Sequence, residues 1–141
     1  MPGYGSRFDP LSDDRAYILE AMGITMSCAR TESRADADEW DALASHWRVT
    51  LRHNGKRMSF AYSMGSAHTG EPKRADCLNA VLRDAEFTSG DFADFCSELG
   101  YDEDSRKAYR QFLACKRIAA SVARLFTSRE LDDLRELFES F

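Results

Sequence analysis

The chain has 141 residues, and its 43% hydrophobic and 11% aromatic content is enough for one domain with a sizeable core. Charged residues make up 30% and the formal net charge is −5, which excludes the basic excess of a general nucleic-acid binder yet falls short of the charge density of a DNA mimic. No apolar run reaches the roughly 18 residues of a membrane span, and MPGYGSRFDPLSDD lacks the basic-then-apolar pattern of a secretion signal, so a cytoplasmic location is expected.

In chain order, residues 1–14 hold Pro2, Gly3, Gly5 and Pro10 and few core-type residues, and read as a loose arm. Residues 15–22, RAYILEAM, suit a short helix before Gly23. From Ile24 the pattern alternates, with Ile24, Met26 and Cys28 on one side and Thr25 and Ser27 on the other, the period of a strand. Residues 31–39 are a polar connection, with a helical turn expected around Asp38–Ala44. The second strand is Trp47–His53 and the third Arg57–Met64, joined by Asn54-Gly55, a dipeptide that tolerates positive φ at both turn positions. A two-residue turn pairs His53 with Lys56, Leu51 with Met58, Val49 with Phe60 and Trp47 with Tyr62. The last three pairs are apolar and share a face, and a slip of one residue would destroy the match.

The rest of the chain is helical in pattern. Pro72 suits a first helical turn, followed by Leu78, Val81, Leu82 and Ala85 up to about Phe87. Asp91 or Ser89 caps a short helix with Phe92, Phe95, Cys96 and Leu99 on one side, closed by Gly100. Asp102 or Asp104 starts the longest helix, whose stripe is Ala108, Phe112, Cys115, Ala119, Val122 and Phe126. Ser128 caps a final helix with Leu131, Leu134, Leu137 and Phe138 inward. The predicted fold is α+β: a three-stranded antiparallel sheet, strand order open, with one face covered by three to four helices. The sheet region spans 24–64 and the helical region 72–139 of a single domain.

Three groups of residues are candidates for function. The loop Met64–Glu71 offers Gly65, Ser66, His68, Thr69 and Gly70 between a strand end and a helix start, where backbone N–H groups can receive an anion and an imidazole can move a proton. It matches neither a Walker A nor a dinucleotide-binding pattern, and a plain connection is the competing reading. The second group is the sheet face that carries Arg48, Arg52 and Arg57 with Thr50 and Ser59. Arg52 and Arg57 fall opposite each other, so they need partners, either Asp36, Asp38, Glu39 or Asp41 of the preceding segment or an acidic partner surface. That face carries no aromatic residue for stacking bases. The third group is the acidic final helix, with Asp132, Asp133, Glu136 and Glu139.

The acidic run Tyr101–Lys107 lacks calcium-loop spacing and reads as helix capping. Cys28, Cys77, Cys96 and Cys115 have no CxxC spacing and read as reduced core thiols, with a zinc site as the lesser alternative. His46 and His53 flank strand ends and are expected to be exposed. Trp40 and Trp47 are the candidate core anchors. The spacing assembles no catalytic constellation, and no cofactor or metal is implied.

The blocks WRVTLRHNGKRM, SMGSAHTGEP, Asp84-Ala85 and FADFCSELGYDEDSRKA together resemble a family of small, uncharacterised proteins of bacteriophages and integrated mobile elements. The likeness runs from about Trp47 into the long helix. It departs at Phe95, where relatives often hold tryptophan, and leaves residues 1–22 outside. It implies a phage protein acting inside a bacterial cell and carries no catalytic residues with it. The expected function is that of a non-enzymatic inhibitor of a host defence system, a candidate anti-CRISPR or other anti-defence protein, acting by steric occlusion of a host protein or ribonucleoprotein. A homodimer is compatible with this reading, while the acidic balance argues against direct nucleic-acid binding. The alternatives are an anion- or nucleotide-binding or enzymatic domain built on Gly65–Gly70 and His68, and an accessory protein of phage nucleic-acid metabolism.

Overall fold

The computed structural model describes residues 18–32, 42–66, 68 and 70–139. The arm at residues 1–14, Trp40 and the carboxylates of Asp36, Asp38, Glu39 and Asp41 lie outside the described residues. Residues 18–21 are helical and lead into β1 (Thr25–Thr31), β2 (Ser45–His53) and β3 (Lys56–Met64). Four helices follow: α1 (Arg74–Glu86), α2 (Phe92–Leu99), α3 (Arg106–Leu125) and α4 (Ser128–Glu139). The architecture is α+β, as the patterning predicts. The chain forms two compact units, and the boundary between Cys77 and Leu78 falls within α1.

In the first unit the strands form a three-stranded antiparallel meander in the order β1-β2-β3, which settles the order that the sequence left open. The hairpin has the expected register, with Leu51 opposite Met58, Val49 opposite Phe60 and Trp47 opposite Tyr62. Asn54 at φ 53° and Gly55 at φ 74° make the turn that this pair of residues favours. Along β2, Trp47, Val49 and Leu51 are buried while Arg48 and Arg52 are exposed, the alternation of a sheet with one dry face. Leu19, Ile24, Ala75 and Cys77 are buried in the same unit. Arg74 fastens the start of β1, its Nη1 donating to the Ile24 carbonyl at 2.6 Å and lying 2.7 Å from the Glu20 carboxylate.

His53 departs from expectation. It is 4% exposed, because it continues the dry side of β2 beyond Leu51, and its Nδ1 lies 3.4 Å from the Gly23 carbonyl. That contact needs the proton on Nδ1, since a carbonyl only accepts. His46, one strand-length away on the wet side, is half-buried and pairs with Ser63 Oγ at 2.8 Å.

In the second unit, Phe95 and Cys96 of α2 pack on Ala108 and Phe112 of α3, with Phe87, Phe92, Leu99, Leu113 and Cys115 around them. The rings of Phe95 and Phe112 meet edge-on at 5.3 Å, a geometry that the aromatic quadrupoles favour. Asp91 caps α2 through a capping box with Asp94, and Gly100 at φ 73° closes it in the left-handed conformation, both as predicted.

Three boundaries differ from the sequence reading. Ser105, not Asp102 or Asp104, caps α3, its Oγ accepting from the Ala108 N–H, while the Asp102 carboxylate is spent on a local turn to the Asp104 N–H. Thr127, not Ser128, caps α4, by a reciprocal box with Glu130. Pro72 precedes the first turn of α1, because the Lys73 carbonyl already accepts the first helical bond from Cys77. For α3 and α4 a candidate cap lay within three residues of the true one, and backbone geometry rather than residue type chose between them.

The two faces of β2 should respond differently to truncation. Leu51→Ala, at a site with no exposure, is expected to cost about 2–5 kcal/mol of unfolding free energy. Arg48→Ala on the wet face is expected to stay within about 0.5 kcal/mol. Urea titration followed by circular dichroism reads both.

Candidate functional site

The wet face of the sheet is the best-formed exposed surface of the first unit. It consists of four cross-strand rows: Thr25–Arg52–Arg57, Ser27–Thr50–Ser59, Ala29–Arg48–Ala61 and Thr31–His46–Ser63. Only Thr50 and His46 among these are half-buried, and the remainder are exposed. No row holds a Phe, Tyr or Trp ring, and the residues between the arginines are short serine, threonine and alanine side chains and His46.

The floor is tied by side-chain hydrogen bonds. Thr50 Oγ1 and Ser59 Oγ lie 2.8 Å apart, and His46 Nδ1 and Ser63 Oγ close the far row at the same distance. Arg52 and Arg57 do sit directly opposite, as the register requires. Arg52 turns away from its neighbour, with Nη1 donating to Ser27 Oγ on β1 at 3.0 Å, which relieves part of the like-charge repulsion. Among the described residues no carboxylate pairs with Arg48 or Arg52. The acids that the sequence offered as their partners lie outside the described residues.

The Gly65–Gly70 loop is arranged as a joint between sheet and helix. The His68 N–H donates to the Gly65 carbonyl at 3.0 Å, a turn that uses one of the backbone groups an anion would need. Ser66 and His68 are exposed, and Gly70 takes φ 82° to bring the chain into the buried Pro72. Thr69 lies outside the described residues.

The thiols are held protonated. Burial, with the charge of Asp76 and then Cys28, pushes Cys77 up to about 12. Burial, followed by Cys77 and Asp76, does the same to the Tyr62 hydroxyl, also to about 12. In the second unit, burial and then Asp84 raise Cys115 to about 11, and burial chiefly raises Asp84 itself. Cys28 is raised by burial, then by Glu71, and Cys96 by burial and the carboxylates of Glu103 and Asp102. A thiol is nucleophilic and binds metal only as the thiolate, so these environments suit packing. Among the described residues no cluster of histidine, cysteine and carboxylate side chains has a metal-binding arrangement.

The acidic candidates all lie on α4 and are all exposed. At about 100° per residue, Asp132, Glu136 and Glu139 form a stripe opposite the buried Leu134, with Asp133 on its flank. Asp132 lies 3.7 Å from Arg135, whose Nε is 3.3 Å from Glu86 of α1 but not aligned to donate to it. The three sequence candidates are thus a joint and an arginine-bearing sheet face in the first unit, and an acidic helix stripe in the second. No protein-family model, curated protein or solved structure matches this chain. Among the described residues no helix is long and apolar enough to cross a membrane.

The raised thiol and phenol values give a signed pH dependence. A group whose pKa is higher folded than unfolded stabilises the fold fully below its unfolded value and loses that contribution as pH rises. For Cys77 and Tyr62 the window runs from the ordinary thiol and phenol values of 9.0 and 10.0 up to about 12. Unfolding free energy is expected to fall across that range, and less steeply in the Cys77→Ala/Tyr62→Phe double variant. Iodoacetamide labelling near neutral pH is expected to leave Cys77 and Cys96 unmodified until denaturant is added.

Proposed function

We propose that this chain is a non-enzymatic, phage-encoded binding protein that blocks a host bacterial defence assembly by steric occlusion, in the manner of an anti-CRISPR or other anti-defence inhibitor. The observation that carries the binding part is the exposed sheet face, which carries Arg48, Arg52 and Arg57 among small side chains. An exposed face that carries three arginines suits an acidic protein surface, on which arginine makes planar, forked contacts. The thiols support the non-enzymatic part, since burial keeps them in the unreactive form. The phage setting rests on the sequence resemblance alone.

On α4, Asp132, Asp133, Glu136 and Glu139 supply a second charged surface of opposite sign, suited to a basic channel of the same assembly. In this reading the loop at Gly65–Gly70 positions the sheet and the helix that follows it and takes no part in chemistry.

The test is affinity purification from an expressing bacterium, together with phage plating on strains that carry a defined defence system. A host protein or ribonucleoprotein is expected to be retained, and plating restored. Arg48→Glu/Arg52→Glu/Arg57→Glu is expected to lower retention at least about tenfold, with the effect shrinking as salt is raised. His68→Ala is expected to keep full effect. Unimpaired defence in the presence of the protein, or loss of effect on His68→Ala alone, would sink this reading.

A further inference from the structure

The sequence of α3, RKAYRQFLACKRIAASVARL, contains six basic residues and no acidic one, in a chain whose net charge is −5. A solvated helix usually mixes its signs, so that opposite charges meet three or four residues apart. Here Arg106 and Arg110 are like charges four apart, and Lys107 and Arg110 three apart. Arg106 and Lys107 also occupy the first turn, where the helix dipole disfavours cations. Among the described residues no ion pair engages Arg106, Lys107, Arg110, Lys116 or Arg117. The helix retains this repulsion although substitution to glutamate at any one of these exposed positions would relieve it.

The charges are also ordered. At about 100° per residue, Arg106, Arg110, Arg117 and Arg124 fall within a sector of roughly 40°. Ala108, Phe112 and Val122, all buried, occupy the opposite side. The four arginines are exposed. They form one line, and at ~1.5 Å rise per residue it is about 27 Å long. Over that length a duplex strand presents about eight phosphates, at ~3.4 Å per strand. Beside the first two arginines stands Tyr109, 48% exposed, its ring held edge-on against Phe92 at 5.2 Å. A tyrosine fixed in this way next to guanidinium groups offers an aromatic face to a base or sugar without first having to be ordered.

We propose that the arginine line of α3, with Tyr109 at its amino-terminal end, docks the sugar–phosphate backbone of a nucleic acid. Guanidinium groups bind phosphate through paired, charge-assisted hydrogen bonds. The line offers three to four such contacts, with no base-reading pattern, so the interaction is independent of sequence. The inference goes beyond the proposed inhibitor role and does not rest on it, because it concerns the purified chain and a polyanion without any host factor. It runs against the expectation, drawn from the overall acidity, that direct nucleic-acid binding is disfavoured, and the test below decides between them.

The test is fluorescence anisotropy with labelled duplex and single-stranded oligonucleotides at a series of salt concentrations. Binding is expected at low salt, with log K falling against log salt at a slope of roughly −3 to −4 for the duplex. Arg106→Gln/Arg110→Gln/Arg117→Gln keeps helix propensity, since arginine and glutamine rank together. It is expected to retain the circular dichroism spectrum and melting curve while affinity drops at least about tenfold and the slope flattens. Absence of binding to either oligonucleotide at low salt would overturn the proposal. So would unchanged affinity in the glutamine variant, loss of binding in Arg48→Glu/Arg52→Glu/Arg57→Glu instead, or retention of polyglutamate with no retention of oligonucleotide, which would make α3 a face for acidic protein.

Discussion

Everything in the first unit depends on one register, that of the β2–β3 hairpin. The side chains of a strand alternate with a period of two, so the pairing decides at a stroke which residues are dry and which are wet. With His53 opposite Lys56, the apolar residues Val49, Leu51, Met58 and Phe60 meet on one face, and Arg48, Arg52 and Arg57 must stand on the other. A shift of one residue would set Leu51 opposite Arg57 or Ser59, so that the apolar faces of the two strands no longer coincide and either Arg57 or the pair Arg48 and Arg52 turns to the dry side, a large free-energy cost. The Asn54-Gly55 turn sets the register locally and the core enforces it. β1 then adds to β2 in the sense that continues both faces, with Cys28 beside Val49 and Ser27 beside Thr50.

The second unit is organised by a different constraint, the need to satisfy helix ends. Asp91 with Asp94, Ser105, and Thr127 with Glu130 close the amino termini of α2, α3 and α4, and Gly100 turns the chain out of α2. These devices place the faces of Phe95 and Phe112 against each other. They also fix which sides of α3 and α4 remain outside. The consequence is an uneven distribution of charge, with six basic and no acidic residues along α3 and five carboxylates against two arginines along α4. A chain acidic on average thus presents a locally cationic surface, and local field rather than net charge governs what a surface attracts.

Parts of the candidate site could be read from the residues and parts could not. The opposed Arg52 and Arg57 follow from the hairpin alone, because the turn length dictates the pairing. That Arg52 reaches back to Ser27 depends on β1 being its neighbour, which no local pattern specifies. His53 differs for a related reason: the alternation places it on the dry side, whereas its position at a strand end suggests solvent. The loop at Gly65–Gly70 suggests chemistry by its residue types, yet its backbone closes on itself through the bond from the His68 N–H to the Gly65 carbonyl. The line of arginines on α3 was in plain view as a helical period. The whole-chain charge masked it.

What the sequence determined by itself is the set of short-range periods and stops: three strands, a two-residue turn and helices with their inward stripes. These follow from side-chain spacing and backbone preference within a few residues, and so they were legible without coordinates. Tertiary structure alone decided the strand order, the contact of His53 with the Gly23 carbonyl and the upward shift of the thiol pKa values. Each of these depends on groups far apart in the chain being brought together in a medium of low dielectric, where a carbonyl, a carboxylate or a lack of water changes the state of a side chain.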